Sequence, residues 1–143
     1  MAHPAVSLPT RKTPPVPQRK IRSLHLLSTS PTASKAAATR LFQKFAARSP
    51  LPLGKLRAEL IPDSSWKRAE QTLRPTAAQT VARLANSLAF ATRTWQSEAD
   101  AIDWLLAPHI QLGGATPFSM LRTETGGRLV EQLMAALEYG FPV

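Results

Sequence analysis

The chain has 143 residues, of which 43% are hydrophobic, so it is long enough for one domain of ordinary size with a buried core. The absence of cysteine excludes disulfide bonds, thiolate metal sites and a cysteine nucleophile. No apolar run approaches the roughly 18 residues that indicate a membrane-spanning helix.

The formal net charge is +9, and its distribution along the chain is uneven. Residues 1–58 contain eleven Lys and Arg and no Asp or Glu, whereas residues 59–143 contain seven basic and nine acidic residues. A basic block of this kind attracts polyanions by Coulomb attraction and counterion release. A solvated basic tail without a specific partner is the other interpretation, and both remain open at this point.

Residues 1–33 are rich in Pro, Ser, Thr and basic residues, as in the segment Pro14-Pro15-Val16-Pro17. Such a segment buries too little apolar surface to offset the entropy lost on ordering. The sequence therefore predicts a disordered basic arm over residues 1–33.

From Ser34 onward the apolar residues recur with helical spacing. Ser34 is a suitable N-cap for a first helix to Ala47, which Pro50 and Pro52 terminate. A short second helix follows between Leu53 and Leu60. A third helix is predicted to be capped by Asp63 or Ser64, and its inward face is formed by Trp66, Ala69 and Leu73.

Capping signals divide the rest of the chain into further helices. Thr76 and Gln79 form a predicted capping box at the start of a long helix that extends to Trp95. Ser97 and Asp100 repeat this signal for the next helix. Further predicted features are a turn at Gly113-Gly114, a short helix from Thr116-Pro117 and a last helix from Glu124 to Tyr139 with the stripe Leu129, Val130, Leu133, Met134 and Leu137. Period-two alternation is absent, so the predicted fold class is all-α.

The segment from Leu53 to Leu73 has the spacing of a helix-turn-helix. With about 100° per residue, its second helix directs polar side chains away from the core. The predicted DNA-binding residues are Ser64, Ser65, Lys67, Arg68 and Gln71. Two short bundle helices with a solvated polar face are the alternative, and nearby Glu59, Asp63 and Glu70 weaken the DNA interpretation.

The segment from Ala101 to Val143 resembles the toxin-binding domain of the Xre/MbcA/ParS antitoxin family. The resemblance depends on a series of blocks in order: Trp104-Leu105, Pro108, Leu112-Gly113-Gly114, Thr116-Pro117, Leu121, Thr123-Glu124, Gly126, Val130-Glu131, Leu133 and Glu138-Tyr139-Gly140. Residues 61–88 resemble, more weakly, the helix-turn-helix region of the same family. Together with the arm predicted from composition at 1–33, the sequence therefore predicts a helix-turn-helix-like DNA-binding region at 34–95 and a toxin-binding domain at 96–143.

The resemblance implies that the chain neutralises an RES-domain toxin, which consumes NAD, by covering the mouth of its substrate pocket. A carboxylate can meet basic phosphate-binding groups there, and a Tyr ring can stack. The toxin-binding residues expected on this basis are Arg128, Glu131, Glu138, Tyr139, Phe141 and Val143. The family also implies a homodimer, binding to operator DNA with repression of its own operon, and a bacterial cytoplasmic location.

One departure from the family concerns the predicted recognition helix, because the segment from Ser64 to Arg68 lacks the denser run of basic residues that we associate with the family. The long basic arm is an addition, and it would supply nonspecific DNA affinity beside a modestly specific helix.

The sequence offers no constellation for catalysis. His3, His25 and His109 are isolated, and no pair of them has metal-ligand spacing. We therefore expect no enzyme activity, metal, cofactor, small-molecule substrate or membrane partner. A stand-alone helix-turn-helix transcriptional regulator without a toxin is the main alternative function, and an orphaned relative with a weakened DNA face is a third.

Overall fold

A computed structural model describes residues 34–140, and these residues form seven α-helices, one 3-10 helix and no strand. The helices are α1 (Lys35–Ala46), α2 (Leu53–Leu60), α3 (Asp63–Arg68), α4 (Pro75–Trp95), α5 (Glu98–Leu106), the 3-10 helix (Ile110–Leu112), α6 (Pro117–Met120) and α7 (Glu124–Glu138). The predicted all-α class is confirmed. The predicted arm at 1–33 and the predicted contact residues Phe141 and Val143 lie outside the described residues.

Four helices begin where a Ser or Thr side chain satisfies a backbone N–H group that the helix cannot pair itself. Ser34 Oγ accepts from Ala37 N at 3.2 Å, and Ser97 Oγ accepts from Asp100 N at 3.1 Å. Thr116 and Thr123 act in the same way for α6 and α7. The predicted starts at Ser34, Ser97 and Thr116 are confirmed.

The predicted third helix is wrong in length and in its cap. The helix ends at Arg68, and both Ala69 and Leu73 are buried but lie outside it. Neither Asp63 nor Ser64 caps it, because Pro62 is the N-cap residue and makes no side-chain bond. After α3 the chain leaves helical geometry and passes beside the start of α1, where Lys35 N donates to the carbonyl of Gln71 at 2.8 Å.

The predicted capping box of Thr76 and Gln79 is also wrong. The helix α4 begins at Pro75, and its N-cap residue Arg74, two residues before Thr76, makes no side-chain bond. Proline suits this first position because its missing N–H is one that the helix would leave unpaired anyway. Thr76 therefore lies inside the helix, where its carbonyl accepts from the hydroxyl of Thr80 at 3.2 Å.

A single buried cluster contains residues of every α-helix except α3, which packs against it through the partly buried Trp66. At its centre Phe42 and Phe45 of α1 lie against Phe118 of α6, with ring centroids 6.4 and 5.1 Å from that of Phe118. All three rings are fully buried. Residues on both sides of the boundary predicted at residue 95 therefore share one core, and that boundary remains a division proposed from sequence alone.

Two ion pairs at the surface connect α5 with Lys44 of α1 and with Arg48, two residues beyond the end of α1. Lys44 Nζ lies 3.0 Å from Glu98 Oε2, and the Arg48 guanidinium makes two hydrogen bonds with the Asp103 carboxylate, at 2.7 and 2.8 Å. These bonds from Arg48 lower the pKa of Asp103. Exposed pairs contribute little to stability, so the buried phenylalanines are what hold α1 in place.

From the shared aromatic core we predict that residues 34–140 unfold cooperatively. Phe118→Ala should destabilise the protein by about 3–5 kcal/mol, because it removes a fully buried ring and leaves a cavity between α1 and α6. Urea unfolding followed by tryptophan fluorescence should still show one transition, at lower urea. Ile110→Ala is the control, since Ile110 is 91% exposed and the change should stay within about 0.5 kcal/mol. Two separate transitions in the parent protein would contradict the shared core.

Candidate functional site

The position of α7 is fixed at its first turn by contacts with α4 and α6. Gly126 lies against the end of α6 so closely that a methyl group there would overlap the carbonyl oxygen of Met120. The guanidinium of Arg83 in α4 donates to the carbonyls of Leu121 and Arg122 at 3.0 and 3.1 Å, which holds the connection between α6 and α7. These contacts orient the whole of α7.

The inward face of α7 is shorter than the sequence predicts. Val130, Leu133 and Met134 are buried, but Leu129 is 44% exposed and Leu137 is 37% exposed. The predicted packing stripe is thus wrong at its two ends. Helical periodicity tells which face a residue occupies, but it does not tell how far neighbouring helices extend along that face.

The outward face of α7 carries four of the predicted toxin-binding residues. Arg128, Glu131, Glu138 and Tyr139 are all exposed, and their spacing of three, seven and one residues keeps them on one side of the helix. Arg128 pairs with Glu124 one turn earlier, at 2.7 Å. Tyr139 is the C-cap residue and 70% exposed, so its ring projects at the end of the helix.

A groove of about 590 Å³ borders this face, between α7 and α4. Its lining residues are Asn86, Ser87, Ala89, Phe90, Arg93, Glu131, Gln132, Met134 and Ala135. Only Glu131 among them is a predicted site residue. Gln132 and Ala135 could have been found from their spacing with Arg128, whereas the α4 residues approach α7 only through tertiary packing.

The helices α4 and α7 run in the same direction. Gly127 lies beside Arg83, and Ala135 shares the groove with Phe90 and Arg93, so the residue numbers rise together along both helices. The C-terminal ends of both helices consequently lie toward the same end of the molecule. At the end of α4, the ring of Trp95 contacts that of Trp104 with centroids 5.1 Å apart.

The predicted DNA-binding residues lie on and beside α3, on a different part of the surface. Ser64, Lys67 and Arg68 are exposed on the helix, and Ser65 is half-buried. Gln71 is exposed but lies beyond the end of α3, in the segment that pairs with α1, so its placement on this helix is wrong. The structure therefore brings four of the five residues together on one short helix.

Trp66 anchors α3 to its neighbours. The Arg57 guanidinium and the Lys35 ammonium each lie 5.0 Å from its ring centroid, and Phe42 meets it edge-on. Arg57 also pairs with Asp63. This anchoring leaves Lys67 and Arg68 directed to solvent.

Two of the three acidic residues near α3 are placed so that they repel DNA phosphates less than the sequence indicates. The Asp63 carboxylate forms an ion pair with the Arg57 guanidinium. Glu59 is half-buried, and this burial raises the pKa of Glu59. Glu70 remains exposed. The repulsion of phosphate that weakened the DNA interpretation is thereby reduced, though Glu70 still contributes to it.

Neither a metal-binding cluster nor a membrane-spanning helix is found among residues 34–140. No cluster of three or more His, Asp or Glu side chains in this part of the chain could hold a metal ion. Nor does any helix described by the structure have the length and apolarity needed to cross a membrane.

Residues 90–140 match the family described as the antitoxin Xre/MbcA/ParS C-terminal toxin-binding domain. This C-terminal segment is similar to the toxin-binding domain of the Xre/MbcA/ParS antitoxins. The match confirms the resemblance found from sequence, and it contains the outward face of α7 and much of the adjoining groove. No curated protein matches the chain at a significant level.

The close packing at the start of α7 leads to a second prediction. Gly126→Ala should destabilise the protein severely and displace α7, because the new methyl group meets the backbone carbonyl of Met120, which cannot move aside cheaply. Gly54→Ala in α2 is the matched control, since nothing lies within 4 Å of its Cβ position. That variant should gain up to about 0.5 kcal/mol from the higher helix propensity of alanine. Equal melting temperatures for both variants would contradict the close packing.

Proposed function

We propose that this chain binds and neutralises an RES-domain, NAD-consuming toxin through the C-terminal end of α7 and the groove beside it. The family match supports an antitoxin role in a toxin–antitoxin system. The observation that carries the finer proposal is the exposure of Arg128, Glu131, Glu138 and Tyr139 together on one face of that domain.

The chemistry of this face suits a cleft that handles NAD. Such a cleft must contain basic groups for the two phosphates, and the Glu138 carboxylate can form charge-assisted hydrogen bonds with them. The Tyr139 ring offers a flat apolar surface with a polar tip, which can occupy space otherwise taken by a nucleobase or the nicotinamide. Neutralisation then follows by exclusion, because the substrate and the helix end compete for the same cleft.

The groove adds a second region of contact. Arg93 and Glu131 place opposite charges beside an apolar floor that includes Phe90 and Met134. A partially desolvated apolar floor with charged edges has the composition of a protein interface, with its apolar centre and polar rim. We therefore include Phe90 and Arg93 with the proposed toxin-binding residues.

Tyr139→Ala should weaken toxin binding by about 2 kcal/mol or more, which is about thirtyfold, because aromatic residues at the centre of an interface contribute most of the affinity. Removing residues 138–143 should abolish neutralisation. The measurements are growth rescue on co-expression with the neighbouring RES-domain toxin and calorimetric affinity. Arg40→Ala is the control and should rescue fully, because Arg40 is an exposed residue of α1. Full rescue by the truncated chain would disprove the proposed site.

A second part of the proposal is that the chain binds operator DNA through α3 as a homodimer and represses its own operon. Lys67, Arg68 and Ser64 are exposed on one short helix that follows α2 after a two-residue connection. Such side chains can contact phosphates and base edges in the major groove. A dimer would place two copies of α3 on half-sites about one helical turn apart.

Arg68→Ala should reduce discrimination between the upstream operator region and unrelated DNA by about 1–3 kcal/mol if its guanidinium reads a base. Lys67→Ala should lower affinity for both duplexes and reduce the slope of log K against log salt concentration by about 0.9, as expected for one lost phosphate contact. Lys44→Ala is the control, because Lys44 lies on α1 paired with Glu98. Gel shifts at several salt concentrations measure the DNA affinity of all three variants. Equal behaviour of Arg68→Ala and Lys44→Ala would exclude α3 as the reading helix.

The main alternative function is a stand-alone transcriptional regulator, for which the exposed basic side chains of α3 are the supporting observation. The two functions predict different neighbouring genes, because an RES-domain reading frame beside this one favours the antitoxin. A DNA-binding protein that rescues no toxin would favour the regulator. We place the protein in the bacterial cytoplasm, where both its DNA and its toxin would be found.

A further inference from the structure

Four neighbouring side chains form an apolar strip at the surface of the segment that matches the toxin-binding domain, namely Trp95, Trp104, His109 and Ile110. The ring of Trp104 contacts the other two rings, with centroids 5.1 Å from Trp95 and 4.7 Å from His109. All three rings are half-buried, and Ile110, the next residue, is 91% exposed. Single exposed apolar side chains are common on protein surfaces, whereas a contiguous group indicates an interaction site.

The loop that presents Ile110 is cross-linked by hydrogen bonds. His109 N donates to the Ala115 carbonyl at 3.1 Å, and Gly114 N donates to the His109 carbonyl at 2.9 Å, so the two sides of the loop are joined. The His109 ring attaches the loop to α5, because its Nε2 donates to the Trp104 carbonyl at 3.0 Å. Ile110 is therefore exposed on a fixed base, and binding through it costs little conformational entropy.

Most of the apolar strip lies in the longest segment of the sequence without a charged residue. Residues 104–121 contain no Asp, Glu, Lys or Arg, although 19% of the whole chain is charged. Depletion of charge and enrichment in tryptophan are typical of the centre of a protein interface. The composition thus favours a protein partner with an apolar surface, since the segment lacks the basic residues that contact DNA phosphates.

The apolar strip begins near the proposed toxin-binding end of α7. Trp95 is the last residue of α4, and the C-terminal ends of α4 and α7 lie toward the same end of the molecule. From Trp95 the stacked rings lead to Ile110, in the loop before α6. A partner seated on Tyr139 at the end of α7 can therefore contact the apolar strip with an adjoining part of its surface.

We propose that the apolar strip is a second contact for the RES-domain toxin, and that it packs against an apolar surface beside the cleft that the end of α7 covers. This inference rests on the proposed antitoxin function. The two contacts have different roles, because α7 excludes the substrate from the cleft whereas the apolar strip adds affinity from outside it. Burial of Ile110 and of the exposed parts of the two tryptophan rings supplies that affinity.

Ile110→Asp tests the apolar strip by placing a carboxylate at its exposed end. The dissociation constant for the RES-domain toxin encoded beside this gene should rise at least about tenfold in calorimetry, because the carboxylate must be desolvated on binding. The melting temperature should not change, since Ile110 is almost fully exposed. Gln79→Asp is the matched control and should bind as the parent does. It adds the same charge near the start of α4, about 24 Å along that helix from Trp95.

The rate of NAD consumption by the toxin separates the roles of the two contacts. Saturating Ile110→Asp should still inhibit the toxin completely, at a concentration at least about tenfold above that needed for the parent. A chain without residues 138–143 should retain binding through the apolar strip and leave the toxin active. Incomplete inhibition by saturating Ile110→Asp would overturn the proposed role of the apolar strip.

Fluorine NMR locates the contact. The chain contains three tryptophans, so full-length protein labelled with 5-fluorotryptophan gives three resonances, which single Trp→Phe variants assign. Unlabelled toxin should shift the resonances of Trp95 and Trp104. The resonance of Trp66, which lies in α3 against Phe42, should stay in place. Unshifted Trp95 and Trp104 in a chain that binds the toxin would overturn the inference.

The possible failures are distinguishable. If the parent chain binds no toxin, the proposed function fails and this inference fails with it. If the parent binds and Ile110→Asp binds equally well, only the apolar strip is disproved. If Ile110→Asp instead changes the sedimentation of the isolated chain and not its affinity for the toxin, the apolar strip joins two copies of this chain and the inference is wrong.

Discussion

The packing of Phe42 and Phe45 against Phe118 is the constraint on which the rest of the structure depends. These rings come from helices about 70 residues apart in sequence, and their burial draws α1 and α6 into one core. Because Phe42 also meets Trp66, the same cluster positions α3. Loss of this contact would free both proposed binding surfaces together, since neither has a separate core.

The two proposed surfaces lie on different elements of that core. One consists of α3, held by the cations of Lys35 and Arg57 around Trp66, and the other is the outward face of α7 with its groove. The long helix α4 lies between these regions in sequence and supports α7 through Arg83. The two proposed surfaces share one buried core.

Much of the antitoxin domain could be predicted from sequence because its signals are local. Ser97 and Thr116 cap helices through bonds that span three residues, and Gly113 and Gly114 adopt positive φ where a side chain would be strained. The ordered blocks from Trp104 to Gly140 indicated the family that residues 90–140 match. The α4 wall of the groove could not be found in this way, because Phe90 and Ala135 meet only through nonlocal packing.

The sequence by itself determined the all-α class, most helix starts, the family of the C-terminal segment and the outward placement of Arg128 and Glu138, since capping and periodicity depend only on near neighbours. Only the tertiary structure shows where α3 ends, since Gln71 pairs with Lys35 at the start of α1 and the helix does not continue to Leu73. It also decided that Leu137 stays partly exposed and that α7 runs alongside α4. Those outcomes depend on which helices pack against each other, and the local sequence pattern does not determine this.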